Sequence, residues 1–78
     1  MKNEDSKYYE EKGRKIEDYR KWNTGLTQKA LAYKLDITAQ SYRLKVHGVT
    51  AWKRHEKDVM KDLGFDQNWL VKEAGVRV

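Results

Sequence analysis

Thr38, Ala39, Gln40, Arg43, Leu44 and His47 share the outer surface of one short helix once Tyr42 and Val46, four residues apart, are turned inward. Their chemistry suits the edges of base pairs. A Gln carboxamide bonds at two points to adenine, an Arg guanidinium at two points to guanine, and Ala39 or Leu44 can meet a thymine methyl. Lys45, where the helix turns away, is placed for a phosphate oxygen. Other chemistry is poorly served. His47 and His55, with Glu56 beside the second, lack a metal-ligand spacing. Glu10, Glu11, Glu17 and Asp18 alternate with Lys12, Arg14, Lys15, Arg20 and Lys21, which reads as a solvated face and not as an acid–base pair. There is no glycine-rich phosphate loop, no nucleophile elbow and no cysteine. A domain of 78 residues also has little room for a closed pocket, so no catalytic residue, metal or cofactor is expected.

The elements that must position these residues are legible on either side of Leu35-Asp36-Ile37. Leu31 and Leu35 lie four apart on one helix face, with the small Ala32 where a second helix can come close. Thr27 is placed to cap this helix, with Gln28 in its first turn, and Thr38 to cap the next. His47-Gly48 ends the second helix with the residue type favoured beyond a C-terminus. Two helices of about two turns, joined tightly, bury their apolar faces only by crossing steeply over a shared core. That is the helix-turn-helix arrangement.

The series Thr27-Gln28, Leu31-Ala32, Leu35, Asp36, Ile37, Thr38 resembles the helix-turn-helix of small phage Cro and repressor proteins, the Xre-like and lambda Cro-like group. The spacing of Tyr42 and Val46 is nearer to Cro than to the commonest Xre form. Two positions depart from the pattern: Asp36 stands where Gly is usual, and Tyr42 where a branched aliphatic is usual. Asp tolerates a left-handed backbone better than most residues. The resemblance implies that Gln28 touches a phosphate, and that Lys53 and Arg54, just after the recognition helix, do the same. It also implies a double-stranded DNA operator as partner, often bound by a homodimer.

Charge distribution points the same way. Residues 1–25 carry seven Lys/Arg against six Asp/Glu, residues 26–57 seven against two, and residues 58–78 three against four. The whole net charge of +5 therefore sits on the motif and the segment after it. Such a concentrated field is the footprint of phosphate binding. Lys29 and Lys34 add non-specific attraction on the exposed side of the first motif helix. Leu, Ile, Val and Phe number only fifteen of 78 residues, near the limit for folding, and three Trp and five Tyr must fill out the core. No apolar run approaches a membrane span or a signal-peptide core, so a cytoplasmic (bacterial host) location is expected.

Elsewhere the chain reads as one domain over residues 8–75, between a mobile tail at 1–7 and a short tail at 76–78. Tyr8 to Asn23 has helical spacing, with Ile16, Tyr19 and Trp22 as an inward stripe that Tyr9 and Gly13 extend. Thr50 can cap a helix over Ala51–Leu63 that buries Trp52, Val59, Met60 and Leu63, and Val49 can pack inward before it. Lys53, Arg54 and Lys57 crowd the start of that helix against its dipole, a conflict eased by a passing polyanion. Gly64 stops it, and Asp66 begins a last helix to about Ala74. Trp69, Leu70 and Val71 either complete the core or form a dimer patch.

The expectation is an all-α, compact domain of four to five helices containing a helix-turn-helix of lambda repressor/Cro type. It would act as a phage or prophage transcriptional repressor, with helix 38–47 in the major groove. The alternative keeps the scaffold but uses it on proteins, as a phage antirepressor or an inhibitor of a host defence nuclease would.

Overall fold

The structure, a computed structural model, describes residues 4–70, with side chains from Glu10 onward. Among these residues the chain forms four α-helices and no strand: α1 (Glu4–Tyr19), α2 (Gln28–Lys34), α3 (Ala39–Val46) and α4 (Arg54–Asp62). A π-helical turn, Arg20–Thr24, continues α1, and a 3₁₀ turn, Gln67–Trp69, follows α4. None of the described helices is long and apolar enough to cross a membrane.

Helix α1 begins at Glu4, earlier than the expected Tyr8. Its far end differs more. Ile16 is buried, but the face it starts continues through Arg20, which is buried too. The wider π turn then carries Trp22 round to solvent, 82% exposed, so Trp22 is not the core residue its spacing suggested. The Thr24 hydroxyl donates to Arg20 O at 2.6 Å and the Gly25 N–H to the same oxygen at 3.0 Å, which holds the turn.

Helices α2 and α3 start where their caps predict. Thr27 Oγ1 accepts from Ala30 N, and Thr38 Oγ1 from Ser41 N, each at 3.0 Å. Between them Asp36 adopts φ 62°, and the Ile37 N–H reaches back to Ala32 O at 3.0 Å, so the turn closes in the left-handed manner. Leu31, Ala32, Leu35, Tyr42 and Val46 all enter the core. Helix α1 crosses close behind α3. A Cβ at Gly13 would stand 2.5 Å from Val46 O, so only glycine allows this approach.

Helix α4 starts at Arg54, three residues after the expected Ala51. The Ala51 carbonyl is occupied by the Lys45 ammonium, and the Trp52 indole is buried edge-on against Tyr42, ring centroids 6.0 Å apart. Those contacts hold Thr50–Trp52 out of the helix, and Lys53 becomes its N-cap. Val49 is exposed and does not pack inward. Gly64, at φ 96° and directly against the Tyr19 hydroxyl, ends α4 and lets Phe65 fold back into the core. Tyr19 packs on Phe65 and on Trp69, at 4.7 and 5.9 Å between ring centroids. Lys12 Nζ donates to Asn68 O at 2.5 Å beside them.

In the C-terminal segment Leu70 is buried and Trp69 half-buried against Tyr19, so both pack on the core of the chain. Asp66 caps only a 3₁₀ turn here. Val71, the remainder of the helix expected to reach Ala74, and residues 1–3 lie outside the described residues.

Candidate nucleic-acid interface

Tyr42, Lys45 and Val46 are the buried residues of α3. A helical period of 3.6 then puts Gln40, Arg43, Leu44 and His47 on the opposite side, and all four are exposed. They form one stripe about two turns long, offering an amide, a guanidinium, an aliphatic group and an imidazole. Thr38 is exposed but its hydroxyl is engaged as the cap, and Ala39 is half-buried. Lys29, Lys53 and Arg54 are exposed.

Two of the expected phosphate contacts point elsewhere. Lys45 is buried, its side chain 6% exposed, with Nζ 3.1 Å from the Glu56 carboxylate and 2.9 Å from Ala51 O. Glu56 is 1% exposed and also accepts the Lys53 N–H at 2.8 Å. Lys45 is therefore an internal tie between α3 and α4, since leaving would strand a buried carboxylate. The pair withdraws one cation and one anion together, so the +5 of residues 26–57 is unchanged. Glu56 at the third position of α4 also offsets the Lys and Arg beside the helix start.

Gln28 is the second correction. It is half-buried, and its amide nitrogen donates to Glu17 Oε1 at 2.7 Å, so the side chain serves contact between α2 and α1. Glu17 is the residue that sequence reasoning missed, having placed it on a solvated face. Arg20 Nε and Nη2 donate to it at 3.1 and 2.9 Å, and the Tyr42 hydroxyl at 2.6 Å. With Gln28, two donors reach each carboxylate oxygen, which fills the accepting capacity of the group. Burial alone would raise the Glu17 pKa, but the hydrogen bonds from Arg20, Tyr42 and Gln28 outweigh it and hold the carboxyl below its ordinary value. Burial, reinforced by the bond to Glu17, pushes the Tyr42 phenol well above its ordinary value. Arg20 also reaches Leu26 O at 2.6 Å, tying down the loop before α2.

The sequence did hold a signal for this cluster. A Tyr in an aliphatic slot needs a partner for its hydroxyl when buried. Arg20, four residues beyond the buried Ile16, must likewise bring a carboxylate with it.

No group of three or more His, Asp or Glu side chains gathers among the described residues in a way that could hold a metal ion. Compared with known protein families, with curated proteins and with solved structures, the chain matches none.

Proposed function

We propose that the chain is a sequence-specific double-stranded DNA-binding protein, with α2 and α3 as its helix-turn-helix and α3 as the helix entering the major groove. By its resemblance to the Cro and repressor group, it would act in the cytoplasm of a bacterial host and repress transcription by covering a promoter. The observation that carries this reading is the α3 stripe: Gln40, Arg43, Leu44 and His47 exposed together on one face. Gln and Arg are the side chains best shaped to read adenine and guanine in the major groove. The positive charge of residues 26–57 supports the same reading, with Lys29, Lys53 and Arg54 as exposed cations for the backbone.

The deciding experiment is selection from a random duplex library at about 150 mM salt, where purely electrostatic binding is already weakened. Enrichment of a short motif is the expected result. Two half-sites about one helical turn apart would mark a dimer on DNA, and one unspaced motif a monomer. A folded sample that enriches nothing overturns the reading.

A protein-interaction role has a specific observation of its own. Trp22 and Tyr33 are 82% and 85% exposed, more than an aromatic ring is usually left in water. Failure of the selection together with loss of a partner on Trp22→Ala would favour that role.

A further inference from the structure

We propose that Glu17, on α1 and outside the reading face, is the positioning residue that sets α3 for sequence discrimination. The inference rests on the DNA-reading role above. Glu17 holds the π turn through Arg20, the start of α2 through Gln28, and the middle of α3 through Tyr42. One carboxylate thus fixes three segments at once, and its α3 partner lies 25 residues away in sequence.

Tyr42 is fully buried on the side of α3 opposite Gln40 and Leu44. Its ring is held edge-on by Trp52, and its hydroxyl by Glu17. The ring contact locates α3 in the core, while the hydroxyl bond fixes its rotation and advance along its axis relative to α1. Paired hydrogen bonds to a base edge tolerate displacements of only about half an ångström. A helix that still packs but has lost its stop keeps its charges near the backbone and loses base contacts first.

A glutamine at position 17 cannot replace this carboxylate. Its single oxygen has two acceptor sites, and its amide would turn N–H groups toward Arg20, Gln28 or Tyr42, all of which are donors here. Tyr42→Phe removes only the hydroxyl and keeps the buried ring, so it is the milder probe.

The experiment measures binding of the full-length wild type, Glu17→Gln, Tyr42→Phe and the double variant to the selected motif and to a scrambled duplex. Active concentrations are set by the folded fraction from circular dichroism. Each single variant is expected to reduce the preference for the motif about tenfold, with scrambled binding within about twofold of wild type. The double variant should lose no more than the worse single, because both act through one bond. Equal loss on both duplexes would mean general destabilisation and would overturn the proposal, as would additive losses. If the wild type prefers no sequence, the DNA reading itself falls. The positioning role is then read by NMR, from the amide shifts of Ala39–Val46 and the Gly13–Val46 contacts. A wild-type pattern in Glu17→Gln would overturn it, and a displaced α3 in a folded chain would uphold it.

Discussion

The Tyr42 hydroxyl donates to Glu17 Oε2 across 2.6 Å, joining the middle of α3 to the end of α1. The bond sits in a cluster whose carboxyl is partly buried, an arrangement that persists only while Glu17 is ionised.

Acid should therefore dissolve this link first. The folded Glu17 is lowered from 4.5, so its stabilisation is fully present above about pH 4.5 and is lost as pH falls through the lowered folded value. Urea midpoints measured from neutral pH down to about pH 2 should fall more steeply for wild type than for Glu17→Gln, which is less stable throughout but flatter in acid. Parallel curves would show that Glu17 has the same proton affinity folded and unfolded.

The buried pair of Lys45 and Glu56 predicts a different signature. Lys45→Met leaves a carboxylate at 1% exposure without its cation, a loss of about 3–5 kcal/mol. Replacing both, as Lys45→Met with Glu56→Leu, removes both charges and should recover most of that loss. About 1 kcal/mol should remain missing, because Glu56 also holds the Lys53 N–H at the start of α4. Equilibrium urea unfolding of the wild type and the two variants checks this order, and a double variant weaker than Lys45→Met would contradict it.

Gly13→Ala is a test of the crossing of α1 and α3. Alanine is the better helix former by about 1 kcal/mol, so propensity alone predicts a gain. Its Cβ would meet the Val46 carbonyl at 2.5 Å, and that obstacle is backbone, which cannot swing aside. The expected net effect is a loss of about 1–3 kcal/mol in thermal or urea unfolding. A stabilised variant would show that α1 can move off α3 at little cost.

These variants also mark what was legible in the sequence. Thr27, Thr38 and Asp36 act through partners within five residues, so their caps and turn could be read from local order. The α3 stripe was legible because Tyr42 and Val46 fix the phase of a helix by spacing alone. Lys45 was misread because its partner Glu56 lies eleven residues on, across the non-helical segment between α3 and α4. Gln28 was misread for a similar reason, since its partner Glu17 lies eleven residues back. Trp22 follows the apolar period of α1 correctly until the π turn breaks the period, and the local hydrogen bonds of Thr24 and Gly25 that hold the turn have no periodic signature. Residues that read as exposed from their own helix were drawn inward by tertiary charge partners, and the resemblance to a known motif did not supply those partners.

The last prediction separates the roles of three cations in the same region. Arg43 is exposed in the α3 stripe, Lys53 is exposed at the N-cap of α4, and Lys45 is locked inside between them. On the proposed function, Arg43→Ala should cost about 1–3 kcal/mol on the selected motif and relax the base preference at one position. Lys53→Ala should weaken every duplex alike and reduce the slope of log affinity against log salt by about one. Lys45→Met should leave that slope unchanged once binding is corrected for the folded fraction, because a buried ammonium releases no counterion from DNA. Titrations at several salt concentrations, on the motif and on a scrambled duplex, resolve all three. A lowered salt slope for Lys45→Met would mean that the ion pair opens on binding and that Lys45 reaches phosphate after all.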